Sequence, residues 1–178
     1  MKHVSSKSEA RILAERYLGD TRKIVDETGW GTDGWVFSLK PHSVVKVHRG
    51  EASFWAELRA YQRLAFYGVT EINGCNVPQL RNHDENHLTI EISYVTPPYV
   101  IDFGKSYLDK PRDFSPELWA DWERKIEYMY GSNAEWALRI HRTLSEKYGI
   151  YHDDVRPVNI NLGEYPDDDD DEDDNYDF

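Results

Sequence analysis

Lys46 is the residue whose surroundings most directly suggest chemistry. It is the one charged residue in the run VVKV at positions 44–47, a β-branched stretch typical of a strand. A lysine in apolar surroundings is costly unless an anion meets its ammonium group. The sequence therefore predicts an anion-binding lysine on a strand. The alternative is an edge-strand lysine that faces water.

A glycine-rich segment precedes this strand. Residues 29–36 match the pattern G-x-G-x-x-G-x-V in full, with the glycines at Gly29, Gly31 and Gly34. Glycine lets the backbone approach phosphate groups without a Cβ in the way. The segment lies between two predicted strands, which favours a phosphate-covering hairpin over the strand-to-helix turn that binds dinucleotides. A glycine-rich hairpin without a ligand is the alternative.

A third motif follows a predicted helix. Residues 151–160 read YHDDVRPVNI, and they resemble the protein-kinase catalytic loop H-R-D-L-K-P-x-N at four fixed offsets: His152, Asp154, Pro157 and Asn159. Arg156 stands where the family has lysine, and Asp153 replaces the family's arginine. A polar turn closed by its own Asp and Asn side chains is the alternative.

The resemblance to protein kinases implies roles for these residues. Asp154 would accept or orient the substrate hydroxyl, Arg156 would face the transferred phosphate, and Asn159 would ligate Mg²⁺. Lys46 would hold the phosphates and pair with a helix glutamate, for which Glu57 is the prediction and Glu51 the competitor. The predicted catalytic residues are Asp154, Arg156 and Lys46. The predicted nucleotide-binding residues are Gly29, Gly31, Gly34, Val36, Lys46 and Glu57.

The resemblance leaves the principal metal ligand unplaced. In the family, a hairpin after the catalytic loop leads to Asp-Phe-Gly, whose aspartate holds that metal, but here Leu162 is followed by acidic residues. Residues 102–104 are a literal Asp-Phe-Gly that lies before the loop, so Asp102 could serve only through a rearranged connection. Asp177 or another carboxylate of the tail is the alternative.

The elements that must carry these motifs follow a strands-first order. Periodicity and start signals predict four helices: one over 8–18 capped by Ser8, one over 51–66, one from Ser115-Pro116, and one from Ser132, with Glu135 completing a capping box, to Gly149. Alternation and β-branched runs predict five strands, near 23–25, 35–37, 44–47, 77–80 and 87–95.

This order indicates an α+β fold. The kinase resemblance implies two lobes, a five-stranded antiparallel sheet with one helix at about 21–95 and a reduced, mainly helical lobe at about 99–163. With the N-terminal helix they would form a single domain over 1–163. Residues 164–178 are predicted to be a disordered acidic tail.

Most of the net charge of −12 lies in that tail. Residues 164–178 hold 10 of the 33 acidic residues and no Lys or Arg, which leaves 23 acids against 21 bases in the rest of the chain. An acidic tail argues against a nucleic-acid partner. Cys75 is the single cysteine, and no apolar run is long enough for a membrane span, so a cytoplasmic setting without membrane association is the expectation.

The functional prediction is an ATP-binding, kinase-like protein that transfers a phosphoryl group to a hydroxyl of a protein Ser/Thr or of a small molecule, with ATP and Mg²⁺ as cofactors. The alternative is a pseudokinase that senses nucleotide or docks on a protein partner without catalysis. A chain completed by a further subunit is a third hypothesis. Trp30 and Trp35 flank the glycine segment and are expected either to stack on a base or to be structural.

Overall fold

The computed structural model describes residues 2–40 and 42–163, so the predicted acidic tail and Asp177 lie outside the described residues. The α-helices are α1 (Lys7–Leu18), α2 (Glu51–Phe66), α3 (Pro116–Tyr130) and α4 (Ala134–Arg142). The strands are β1 (Ile24–Trp30), β2 (Gly34–Leu39), β3 (Ser43–His48), β4 (Glu71–Ile72), β5 (Cys75–Asn76), β6 (Leu80–Asp84), β7 (Thr89–Ser93), β8 (Tyr99–Val100), β9 (Tyr107–Leu108), β10 (Ile150–Tyr151) and β11 (Ile160–Asn161).

A five-stranded antiparallel sheet is the centre of the fold. Its strand order is β1-β2-β3-β7-β6, and β3, in the middle, is buried along its whole length. Helices α1 and α2 both pack against β3. The predicted α+β class and the predicted five-stranded antiparallel sheet are therefore confirmed. The predicted two-lobe arrangement stays a prediction.

The fourth predicted strand was misplaced. Residues 77–80 were expected to form it, but β6 begins only at Leu80 and runs to Asp84. Pro78 has no N–H to give to a ladder, and the Gln79 backbone N–H donates to the Ser93 hydroxyl (2.8 Å) instead of to a strand carbonyl. The observed strand lies at the sheet edge, where polar residues are tolerated.

Helix α1 starts one residue earlier than predicted and has a different cap. The Ser6 hydroxyl accepts a hydrogen bond from the Glu9 N–H (3.2 Å), whereas Ser8 lies inside the helix. The Glu9 carboxylate accepts from the Ser5 N–H (2.9 Å) and the Ser5 hydroxyl (2.9 Å), so it ties the residue before the cap to the first turn. The prediction of Ser8 as cap was wrong because this pair satisfies the first turn two residues upstream.

Helix α2 matches the predicted bounds of 51–66. Its buried side recurs every three or four residues, as an amphipathic helix requires, with Phe54, Glu57, Leu58, Tyr61 and Leu64 buried. After the helix, Gly68 adopts φ 63°, a left-handed conformation that glycine reaches without strain, and the chain turns there.

The second half of the chain combines two helices with short strand pairs. Ser115 caps α3 and Pro116 is its first residue, as predicted. The predicted capping box at Ser132 and Glu135 was wrong. A 3₁₀ turn occupies Gly131–Asn133, α4 begins at Ala134, and the Glu135 carboxylate pairs with Arg142. A π-helical turn, Thr143–Lys147, follows α4, and Gly149 at φ 63° ends the helical run.

Two long-range pairings bring distant segments side by side. Strand β8 pairs antiparallel with β11, and β9 pairs antiparallel with β10. The segment 99–108 therefore lies against the segment 150–161, although α3 and α4 separate them in sequence. No helix in the described part of the chain is both long and apolar enough to cross a membrane.

Candidate functional site

Lys46 lies on the central strand of the sheet. It is paired with Val36 of β2 on one side and Ile90 of β7 on the other, and only 8% of it is exposed. Its Nζ lies 2.6 Å from Glu57 Oε2 and 2.6 Å from Asp102 Oδ1. The alternative of an edge-strand lysine facing water was wrong, because β3 has a neighbour on each side and the ammonium meets two carboxylates.

Glu57, and not Glu51, is the helix carboxylate that meets Lys46. Glu51 occupies the first turn of α2, where a carboxylate complements the helix dipole. Oε2 of Glu57 also lies 2.8 Å from Nε2 of His48, whose Nδ1 is 3.2 Å from the Leu88 carbonyl oxygen. Burial pushes the pKa of Glu57 upward, but Lys46 and His48 outweigh burial, and the pKa lies below its usual value.

The pKa of Lys46 lies above its usual value. Burial opposes the charged form, but the carboxylates of Glu57 and Asp102 reverse that effect. The lysine is thus held as a cation at a fixed place on the sheet, and its own partners, not solvent, compensate its charge.

We call residues 29–36 the glycine hairpin. Its three glycines lie in different surroundings. A Cβ on Gly34 would lie 2.2 Å from the Val47 carbonyl oxygen, so the close approach of β2 to β3 requires glycine there. A Cβ on Gly29 or Gly31 would meet nothing within 4 Å, and neither residue has a left-handed φ. Strand packing thus explains Gly34 and leaves open space beside the other two.

Trp35 does not face the site. It is buried, and the Arg49 guanidinium lies over its ring at 4.0 Å from the centroid. Of the two interpretations of Trp35, the structural one is observed, because alternation along β2 directs Val36, and not Trp35, into the cleft.

The loop at 152–159 is held by its own polar groups. Arg156 donates to both carboxylate oxygens of Asp154, at 2.6 and 2.9 Å. The Asn159 side-chain amide N–H donates to the Asp154 carbonyl oxygen (2.9 Å). The structure therefore joins two of the predicted catalytic residues, Asp154 and Arg156, in a forked ion pair.

His152 and Asp153 anchor this loop in the interior. His152 is fully enclosed with Nδ1 3.2 Å from the Ser106 hydroxyl, and burial lowers its pKa to about 4. The Asp153 backbone carbonyl accepts from the Trp122 indole (2.8 Å), and its carboxylate lies 3.3 Å from His141 and 3.7 Å from Arg112. Asp153 is thus a buried carboxyl group beside His141 and Arg112.

The Asp-Phe-Gly at 102–104 lies within the site. The Ile101 backbone N–H donates to the Asn159 carbonyl (2.8 Å), which sets Asp102 beside the 152–159 loop. Phe103 is buried against Tyr61 (centroids 5.2 Å apart) and His152 (5.0 Å). Burial raises the pKa of Asp102, but Lys46 more than offsets it, so the pKa lies below its usual value and the carboxylate is ionised.

Most of the predicted site residues line one cleft of about 1170 Å³. Eight predicted site residues line it: Gly29, Gly31, Gly34, Val36, Lys46, Glu57, Arg156 and Asn159. Asp154 adjoins the cleft through Arg156 and Lys105. One end carries charged groups, and apolar or aromatic side chains line the rest, among them Val36, Val44, Ile92, Tyr94 and Val158.

Four charged lining residues stand outside the set of predicted site residues: Asp33, Arg49, Asp102 and Lys105. Asp102 had a signal, since it opens a literal Asp-Phe-Gly after the apolar run 99–101. Asp33 is inside the glycine motif, but at a position where the pattern accepts any residue. Lys105 had no signal beyond its place after the Asp-Phe-Gly.

The oxygen atoms at the charged end suit a hard cation. The Asp102 carboxylate, 30% exposed, and the Asn159 side-chain oxygen, which accepts no hydrogen bond from any described residue, both belong to cleft-lining residues. Mg²⁺ commonly takes one or two protein ligands together with phosphate oxygens and water. Among the described residues, no group of three or more His, Cys, Asp or Glu is arranged to hold a metal by itself.

No family model matches the chain, and no curated protein matches it. A similar solved structure is that of the streptomycin-ATP-APH(2")-IIa ternary complex, with 14% sequence identity and a TM-score of 0.40 over 78% of this chain. The chain spans 40% of that protein's length. A similarity of this size establishes neither family nor activity.

Proposed function

We propose that this chain is an ATP-binding, kinase-like protein that transfers a phosphoryl group to a hydroxyl acceptor, either a protein Ser/Thr or a small molecule. One observation carries the proposal: the segments 99–108 and 150–161 pair antiparallel and bring Asp102 and Asn159 to the cleft, where Asp102 meets Lys46 of β3 next to the glycine hairpin. The sheet with α2 corresponds to one lobe of the proposed kinase-like arrangement, and residues 99–163 correspond to the other.

The cleft fits a nucleotide in shape and in polarity. Its apolar wall, with Val36 and Ile92 among its residues, suits a base, and its charged end suits phosphates. The open space beside Gly29 and Gly31 lets phosphates approach the backbone closely. In this arrangement Lys46, held by Glu57, binds the phosphate chain.

The metal ligands in the proposal are Asp102 and the predicted Asn159. Magnesium bound there would neutralise charge that develops on the phosphates. In the proposal, the Asp-Phe-Gly at 102–104 supplies the metal-binding aspartate to this cleft from the segment that pairs with 150–161. Asp102 thereby takes the role that the sequence left unassigned.

Asp154 and Arg156 serve the acceptor side in the proposal. Asp154 orients the acceptor hydroxyl, and Arg156 uses the donors that its fork to Asp154 leaves over to bind the transferred phosphate. A guanidinium has five N–H donors, so it can bind a phosphate while it stays bonded to the carboxylate.

The second candidate is a nucleotide-binding pseudokinase. The observation that favours it is that both Asp154 oxygens already accept from Arg156, and Lys105 lies 3.6 Å from one of them. Both oxygens of that carboxylate are then occupied, which leaves it fewer lone pairs to accept a hydroxyl proton. Binding would then occur without transfer.

The two candidates separate in an experiment with labelled ATP and Mg²⁺. Binding and turnover are measured for the wild type, Lys46→Met and Asp154→Asn, with the exposed Lys125→Met as the matched control. The kinase proposal expects Lys46→Met to weaken ATP binding at least tenfold and Asp154→Asn to abolish turnover while binding persists. Turnover that survives Asp154→Asn would overturn the catalytic assignment, and ATP binding unaffected by Lys46→Met would overturn both candidates.

A further inference from the structure

Lys105 is a cation of the cleft to which neither the motifs nor the fold assigns a role. Its Nζ lies 3.8 Å from Asp33 Oδ2 in the glycine hairpin and 3.6 Å from Asp154 Oδ2 in the 152–159 loop. Both distances are those of ion pairs and are too long for hydrogen bonds. The side chain is 40% exposed, so its ammonium is attracted to two carboxylates and still reaches solvent.

The other cations that line the cleft already have hydrogen-bond partners. Lys46 donates to Glu57 and Asp102, Arg156 donates to Asp154, and the Arg49 guanidinium donates to the Gly31 carbonyl (3.3 Å) and lies over Trp35. Among the described residues, the Lys105 ammonium makes no hydrogen bond. Three N–H donors of one cation therefore remain free for a ligand.

The backbone next to Lys105 is confined between two elements. A Cβ on Gly104 would lie 3.4 Å from Glu57 Oε2 and 3.5 Å from the Asp33 Cβ, so the chain passes close to both α2 and the glycine hairpin. The Ser106 N–H donates to the Phe103 carbonyl (3.0 Å), which closes a tight turn around positions 104 and 105. The origin of the lysine side chain is thus fixed, while its partly exposed ammonium forms no hydrogen bond with the described residues and can take a ligand.

We propose that Lys105 binds the terminal phosphate of a nucleoside triphosphate. This inference rests on the proposed nucleotide site and adds a residue that distinguishes triphosphate from diphosphate. The ammonium lies between the loop proposed to cover the phosphates and the aspartate proposed to orient the acceptor, which is where the end of the phosphate chain belongs. A terminal phosphate carries more charge than one carboxylate and offers three acceptor oxygens, so it displaces Asp33 and Asp154 from the lysine.

A purely structural role makes a different prediction. If Lys105 only joined the glycine hairpin to the 152–159 loop, its removal would loosen the cleft for every nucleotide and would weaken ATP and ADP binding by the same factor. Contact with the terminal phosphate instead predicts a loss for ATP that ADP does not share. The ratio of the two affinities is therefore the informative quantity.

The test measures the affinities of ATP and ADP, each with Mg²⁺, by titration calorimetry of the full chain. Lys105→Met is expected to weaken ATP about tenfold and ADP less than about threefold, because one charge-assisted contact is lost from ATP alone. Lys105→Arg should restore most of the ATP affinity, and the exposed Lys125→Met should match the wild type. Melting curves establish that each variant is folded, and Lys105→Gln replaces Lys105→Met if the latter is not.

Each outcome decides one question. An equal loss for ATP and ADP, an unchanged ATP affinity, or tighter ATP binding in Lys105→Met overturns the role of Lys105 and leaves the nucleotide site intact. Absence of ATP and ADP binding by the wild type overturns the proposed function itself, and this inference with it.

Discussion

Glu57 and Glu51 belong to one helix but lie in different surroundings, and the difference is measurable at the level of single residues. Glu57→Ala removes a buried carboxylate that compensates Lys46, whereas Glu51→Ala removes a first-turn charge only. We expect the free energy of unfolding to fall by about 3 kcal/mol for Glu57→Ala and by less than about 1 kcal/mol for Glu51→Ala. Urea unfolding of both variants checks this, and equal losses would contradict the burial argument.

Substitutions of Gly34 and Gly31 by alanine give a second comparison between single residues. Gly34→Ala places a methyl group against the Val47 carbonyl and should cost about 2 kcal/mol of stability. Gly31→Ala meets open space, so its stability should change by less than about 0.5 kcal/mol, while the methyl group should weaken ATP binding. Unfolding curves and calorimetry on the two variants test the separation. A stable Gly34→Ala protein, or unchanged ATP binding by Gly31→Ala, would contradict it.

Residue types and offsets were enough to name eight of the 24 residues that line the cleft, because each motif joins neighbours along the chain. Lys46 stood out as a charge in an apolar strand, and the 152–159 loop stood out by its fixed offsets. Asp102 could not be assigned, because its role depends on which segment lies beside it. His48 could not be foreseen either, since its contact with Glu57 needs the observed distance between β3 and α2.

At the scale of elements, the start of α1 gives a direct test of a corrected prediction. Ser6→Ala removes the hydroxyl that accepts from Glu9, and we expect a loss of about 1 kcal/mol. Ser8→Ala changes a residue inside the helix and should be neutral or slightly stabilising, because alanine is the better helix former. The comparison uses thermal or urea unfolding. A larger loss for Ser8→Ala would restore the original assignment of the cap.

Elements whose signals are local were predicted well, and those decided by tertiary contacts were not. Helix α2 followed from its apolar period, and α3 from Ser115-Pro116. The predicted position of β6 was wrong because its pairing with β7 fixes where the strand lies. Its polar sequence also shows no apolar alternation from which the strand could be predicted. The predicted start of α4 was wrong because Glu135 pairs with Arg142, about two turns further along, and not with the helix start, which no cap pattern reveals.

At the scale of the whole molecule, the determining feature is which distant segments pair. The segments 99–108 and 150–161 are separated by two helices, and their antiparallel pairing brings Asp102, Lys105 and the 152–159 loop to the cleft. No local period encodes such a pairing, since it depends on how α3 and α4 return the chain. The class of fold could therefore be predicted from the order of elements. That Asp102 joins the same cleft as the 152–159 loop could not be predicted.

His152 ties the stability of the whole molecule to pH. Burial lowers its pKa in the folded protein to about 4, from 6.5 for an exposed histidine, so the unfolded chain binds the extra proton more readily. Its contribution to stability is fully present above pH 6.5 and is lost as the pH falls towards 4, a total of about 3 kcal/mol. Glu57 and Asp102 have lowered pKa values in the folded protein, so their contributions to the free energy of unfolding are lost only below about pH 4.5. Between pH 4.5 and 6.5 the buried imidazole should therefore dominate among these groups.

Urea unfolding of the wild type, His152→Asn and the exposed His42→Asn between pH 4.5 and 7.5 isolates this effect. The wild type should lose stability below pH 6.5 at up to about 1.4 kcal/mol per pH unit, the slope for one proton. His152→Asn should start from a lower stability, since the packing against Phe103 changes, but should show a flat profile in this window. His42→Asn should keep the slope of the wild type. If His152→Asn kept that slope, the proton would be taken up elsewhere, and the loop that carries Asp154 would not be the acid-sensitive part of the molecule.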